Sequence, residues 1–242
     1  MTTIVSCFIT NINNINYRDT NKYLELGKNL IECDVPKVIF MNQYLIDSIT
    51  DYNKNNTIFI PFEKEDLYYN KYKNEITDFV VNTNNKDKDT LDYMLLQNNK
   101  PEFLQKAIEL NPFHTSQYVW VDFGIFHMIQ NPKEKFMEYI YNLQNKSYEK
   151  VRISSCVNPL YNEVYKDVYT NVLWYFAGSV VGGSYQSLTI FSEKCREKVK
   201  EVIQEKKSLM WEINIWYLVF MENKESFDFY MCDHNDSILE NY

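Results

Sequence analysis

The sequence predicts an α/β fold: one domain with a central, mostly parallel (mixed) sheet flanked by helices. Three observations carry that expectation. The first quarter of the chain alternates short β-branched runs with segments of helical period, a β-α-β-α-β order that favours parallel pairing. The run Gln117-Tyr-Val-Trp-Val121 is apolar and rich in strand formers, as a strand buried on both faces of a sheet must be. The 242 residues, 45% apolar and 16% aromatic, supply a large core with no linker to divide it.

The elements follow in order. Residues 3–10 form the first strand and run into a polar turn at 11–14, an exit that commonly lies at a ligand crevice. A helix is expected from Thr20, with Tyr23, Leu24, Leu26, Leu30 and Ile31 at helical spacing and Thr20 or Asn21 as its cap. Pro36 stops it. Strands at 37–41 and 57–60 enclose a short helix at 43–50, and residues 61–67 lead into a further helix expected to reach about Phe79. Residues 82–90 are the most polar stretch and read as an exposed loop. Helices at 91–96 and 101–110, the second with Pro101 in its first turn, precede the strand at 117–123. A helix at 133–143 and a strand at 150–155 come next. Residues 158–170 carry regularly spaced tyrosines, readable as a helix face or as a substrate-facing loop. The segment 173–184 holds three of the five glycines, and the sheet is expected to continue through 186–191 before a charged helix at 192–206. An apolar helix at 210–220 and a strand at 227–231 complete the pattern.

Net charge is −8 with a pI near 5.0, so no basic field exists to hold a nucleic-acid backbone or an anionic membrane. Any phosphate would be held by a few local groups or by a divalent cation. The five cysteines are scattered without a Cys-x-x-Cys pair, which speaks against a disulfide framework or a zinc site and for a reducing, cytoplasmic setting. Residues 2–10 lack the basic start and cleavage site of a signal peptide, and no apolar run approaches the roughly 18 residues of a transmembrane segment.

Chemistry is expected around Asp122. A carboxylate ending an apolar strand needs a partner, whether a metal, a hydroxyl or a backbone amide, because an unpaired acid in an apolar interior costs several kcal/mol. A carboxylate that merely caps the next turn is the alternative. Gly124 would let a ligand approach the backbone there, and the crevice beyond strand carboxyl ends is where open α/β sheets bind ligands. The glycines of 173–184 suggest a second backbone approached closely by a ligand or by another strand. No Walker loop, Gly-x-Gly-x-x-Gly, Gly-x-Ser-x-Gly or His-Glu-x-x-His occurs. Of the three histidines, His114 and His127 read as structural, and His234, in a polar cluster after the last strand, reads as a site residue.

Four segments, Trp120-Val-Asp-Phe-Gly-Ile125, Ala177-Gly-Ser-Val-Val-Gly-Gly183, Trp211-Glu-Ile-Asn-Ile-Trp216 and Tyr230-Met-Cys-Asp-His-Asn-Asp-Ser-Ile-Leu239, stand in an order that resembles the WlaTC/HtrL (YibB-like) bacterial proteins, which look like a branch of the GT-A glycosyltransferases. The resemblance implies a GT-A-like single domain over 1–242, with residues 1–125 as a nucleotide-binding half and 126–242 as an acceptor-binding half. It implies transfer of a sugar from a nucleotide-sugar donor, such as a UDP-sugar, to a glycan or other hydroxyl acceptor. Mn²⁺ or Mg²⁺ would be held by Asp122 and His234, and Glu212 would be the base facing the acceptor. Gly182 and Gly183 would rest against a sugar, Lys100 would meet the diphosphate, and Thr10 and Arg18 would lie on the nucleotide side. Gly124 stands where the second acid of an Asp-x-Asp pair would be, leaving one carboxylate for the metal. That departure suits a second reading, a non-catalytic GT-A-like binding or assembly protein. A metal-dependent nucleotidyltransferase or phosphohydrolase is a third, and would normally show further clustered acids.

Overall fold

The computed structural model describes residues 1–10, 12, 19–81, 83, 85–161 and 166–242, with only the backbone of 161, 166 and 167. Arg18 lies outside the described residues, as do parts of the 82–90 and 158–170 segments.

Seven strands form one sheet: β1 (Thr2–Phe8), β2 (Lys37–Met41), β3 (Thr57–Pro61), β4 (Gln117–Val121), β5 (Val151–Ser155), β6 (Phe176–Ser184) and β7 (Phe227–Met231). Their order is β3-β2-β1-β4-β6-β5-β7, which puts β4 at the centre. Pairings β3–β2, β2–β1, β1–β4 and β5–β7 are parallel, and β6 alone runs against its neighbours β4 and β5. The expected mixed, mostly parallel α/β sheet is therefore the observed one. Every residue of β1, β2 and β4 is buried, which is why these strands read as unbroken apolar runs rather than alternating ones.

Helices cover both faces: α1 (Thr20–Ile31), α2 (Gln43–Ser48), α3 (Leu91–Asn98), α4 (Lys100–Leu110), α5 (Lys133–Asn142), α6 (Tyr185–Lys206), α7 (Glu212–Glu222) and α8 (Ser237–Glu240). One core packs α3, α4, α6 and α7 against one face of the sheet through residues such as Phe103, Tyr118, Phe191 and Trp216. A second joins α5 and α8 to the other face through Val119, Val121, Phe136 and Ile238. Among the described residues no helix is long and apolar enough to cross a membrane.

Three expectations are corrected. Residues 186–191 do not continue the sheet: they are the second to seventh residues of α6, whose cap Ser184 accepts from the Ser187 amide at 3.2 Å. Leu188, Phe191, Cys195, Val199 and Val202 are buried at helical spacing along it. The stretch after Pro61 is not one α-helix but two short 3₁₀ segments, Lys64–Asp66 and Tyr68–Glu75, with few apolar positions to bury. The cap of α1 is Asp19, whose carboxylate accepts from the Lys22 amide at 2.9 Å, rather than Thr20 or Asn21.

Candidate functional site

The carboxyl end of β4 opens onto the site. The ladder ends at Asp122, whose amide donates to Ser179 O of antiparallel β6 at 3.0 Å, and Asp122 O then accepts from Ile125 in a tight turn. The Asp122 side chain is 35% exposed and emerges at the bottom of a cavity of about 460 Å³. Glu212 and His234 line that cavity too, although they come from the start of α7 and from the segment after β7. A smaller hollow of about 80 Å³ lies on the β1 side, lined by Cys7, Phe8, Tyr23, Phe123 and Gly124. Lys88, Gln97, Asp122 and His127 belong to the walls of both hollows, so the two form one cleft that turns at the end of β4.

Lys100 ties the acids together. Its ammonium lies 2.8 Å from Glu212 Oε1 and 3.1 Å from Asp122 Oδ1, and donates to the Gly178 carbonyl at 2.9 Å. An ammonium has three protons, and these three acceptors use them all. Burial alone would lower the Lys100 pKa, but the carboxylates of Asp122 and Glu212 outweigh it and hold the group above the ordinary lysine value. Lys100 is therefore an internal cation held by three acceptors of the protein, and it lines both hollows of the cleft.

Asp122 is also oriented by Trp120, whose indole N–H donates to Oδ1 at 2.7 Å. Both contacts fall on Oδ1. Glu212 is 2% exposed, and its Oε2 has no partner among the described residues. Asn98 supports it from behind by donating to Met210 O at 2.7 Å, just ahead of α7.

The histidines stand side by side at the rim. His127 Nδ1 donates to Gly124 O at 2.7 Å, and its ring meets the His234 ring edge to face with centroids 5.7 Å apart. His234 is placed by its neighbours: Asp233 N donates to Ser237 Oγ at 2.9 Å, and the Asp236 carboxylate accepts from the amides of Gln130 and Asn131 at 2.8 and 3.3 Å. Burial would raise the Asp236 pKa, and these hydrogen bonds more than reverse it, so the group sits below the ordinary aspartate value.

The glycines divide. Gly124 lines the small hollow, where a Cβ would press on the Tyr23 ring at 3.1 Å. Gly178 faces Glu212, and a Cβ there would overlap Glu212 Oε1. Gly182 and Gly183, expected against a sugar, lie elsewhere. In the antiparallel register Gly182 pairs with Val119 and Gly183 with Tyr118, strand positions remote from the Asp122 end. Gly182 makes room for the Tyr242 hydroxyl and the Tyr118 carbonyl; Gly183, at φ +150°, lies 2.5 Å from Lys150 O when a Cβ is built on it. Thr10 is likewise away from both hollows: its amide donates to Asn42 Oδ1 at 2.9 Å, holding the β1 exit to the start of α2. His114 sits at the opposite end of β4, in a turn with φ +53°.

A family model described as bacterial protein of unknown function (HtrL_YibB) matches residues 15–232. The chain belongs to the HtrL_YibB family. No curated protein matches it. In this HtrL_YibB member the matched span includes Lys100, Asp122, Gly178 and Glu212 and reaches Cys232, two residues short of His234.

Among the described residues no group of three or more His, Cys, Asp and Glu side chains could hold a metal. Two residues with donor groups do line the cleft, Asp122 and His234. A carboxylate and an imidazole are ligand types that Mg²⁺ or Mn²⁺ accept, and these ions commonly keep several waters and take one or two protein ligands beside substrate phosphates.

Proposed function

We propose that this protein is a nucleotide-sugar-dependent glycosyltransferase with a GT-A-like site. The observation that carries the proposal is that Asp122, Glu212 and His234, scattered along the sequence, line one cavity at the carboxyl end of the central strand. The aromatic hollow beside β1 suits a nucleotide base, and the turn of the cleft at Asp122 suits the diphosphate, with Lys88 on both walls. Asp122 and His234 would hold Mn²⁺ or Mg²⁺, which when bound neutralises charge on the leaving diphosphate.

Glu212 is the base. The acceptor hydroxyl oxygen bonds to the anomeric carbon, its proton passes to the Glu212 carboxylate, and the bond from that carbon to the diphosphate breaks, its electron pair leaving on the diphosphate. Lys100, by holding Glu212 Oε1 and Asp122 Oδ1, sets the spacing between the acceptor side and the donor side. A thermal-shift panel of UDP-, GDP-, CMP- and dTDP-sugars with and without Mn²⁺, followed by detection of released nucleotide, tests the reading. Stabilisation by one donor class and slow release of its nucleotide are expected; no response to any donor refutes it.

One observation favours a non-catalytic binding protein instead: both acids already share an internal ammonium as an ion-pair partner. That reading predicts stabilisation by a ligand with no turnover.

A further inference from the structure

One wall of the larger cavity is built from aromatic rings and unpaired polar atoms, and one of its rings, Tyr93, also lines the smaller hollow. Trp174 is 54% exposed and presents an indole face to the cavity it lines. It is not on a loose loop: Leu173 N donates to Asn214 Oδ1 at 2.9 Å, and the buried Asn214 amide donates to Val168 O and Asn171 O at 2.8 and 2.6 Å. The Trp174 ring leans on Trp211 with centroids 6.1 Å apart, and Trp211 meets Tyr93 edge to face at 5.5 Å. All three line the cavity. Beneath the rings, two adjacent residues carry buried polar atoms without partners among the described residues: the Trp211 indole N–H, a donor, and Glu212 Oε2, an acceptor. A buried group left unpaired costs about 1–3 kcal/mol, so this donor and acceptor in the cavity wall would both gain from a ligand that supplies the two complements.

We infer that this wall is a subsite for a pyranose ring of a saccharide acceptor. A hydroxyl is the small group that accepts from an indole N–H while donating to a carboxylate, and a pyranose carries hydroxyls at its edge beside an apolar C–H face that packs on an indole. The C–H face lies on Trp174, and the ring's hydroxyls lie toward Trp211 Nε1 and Glu212 Oε2, on residues that line the same cavity. A hydroxyl on an extended peptide or a lipid would fill the polar pair but leave the indole face without its partner. The inference rests on the proposed transferase reading and narrows its acceptor to a glycan.

The test is a glycan array probed with labelled wild-type protein, Trp174→Ala and Trp174→Phe, with donor binding followed in parallel by thermal shift. Wild type binds a set of saccharides, Trp174→Ala loses that binding by about tenfold or more, and Trp174→Phe recovers part of it. Nucleotide-sugar stabilisation is the same in all three. Binding to no saccharide, or equal binding by wild type and Trp174→Ala, overturns the inference while leaving the transferase reading standing if donors still bind. Saccharide binding that depends on Trp174 with no response to any nucleotide sugar supports the subsite and refutes the transferase.

Discussion

Lys100 and Glu212, 112 residues apart in the chain, meet in an ion pair of 2.8 Å with side chains only 4% and 3% exposed. So deep a pair is costly to assemble, since both charges leave water, and is weak evidence for stability by itself. Its third member explains it. The same ammonium reaches the half-exposed Asp122, so the pair fixes that acid relative to Glu212, which lines the same cavity.

Removing one partner leaves the other charge stranded. Lys100→Met is expected to cost about 3–5 kcal/mol in denaturant unfolding, and Lys100→Met combined with Glu212→Gln to cost clearly less than the sum of the single changes. Simple additivity would show that the two groups do not depend on each other.

The glycines of β6 separate function from packing. Gly178→Ala drives a methyl into Glu212 Oε1 and is expected to lower transfer by roughly tenfold or more with donor affinity kept. Gly182→Ala presses on the Tyr118 carbonyl at 2.7 Å and is expected to cost about 1–3 kcal/mol of stability, with the folded enzyme turning over normally. Nucleotide-release kinetics and urea titrations on the two variants check both halves.

Lys37 provides a pH signature. It lies on β2, 0% exposed, donating to Val35 O at 2.9 Å and to Cys33 O, and burial pushes its pKa down to about 8 against the modest opposing pull of Cys33 and Asp34. Between that value and about 10.4, the unfolded chain holds a proton the folded one has released, so the Lys37 contribution to stability rises with pH. Lys100, whose pKa is raised, adds no such slope there: its contribution persists through the ordinary lysine range and is lost only above it. Relative to wild type, Lys37→Met should therefore be at its most favourable below pH 8 and lose ground steadily up to pH 10. A pH-independent difference in unfolding midpoint would contradict this.

The parts legible in the sequence are those set by local pattern. Strands β1 to β4 are consecutive apolar runs, and Asp122 and Glu212 stand out as acids beside such runs. Residues 186–191 misled because six residues are too few to separate a strand from the first turns of a helix, and only the longer series from Leu188 to Val202 shows the helical period. Tertiary register decided the rest. Gly178 rather than Gly182 or Gly183 meets Glu212 because β6 runs antiparallel to β4, pairing Val180 with Val121, and nothing local encodes that alignment. His127 looked structural because apolar residues surround it in sequence, yet the tight turn after Asp122 brings it to the rim beside His234. Lys100 was noticed for its charge, but its role follows from three acceptors, none of them local in sequence.

Calorimetric titration of a nucleotide sugar in Mn²⁺, on wild type, Asp122→Asn, His234→Ala and Glu212→Gln, addresses the shared site most directly. Donor binding should be lost in Asp122→Asn, weakened in His234→Ala, and nearly intact in Glu212→Gln, whose transfer rate should fall by roughly 10² or more. Donor binding by Asp122→Asn as tight as that of wild type would contradict the account.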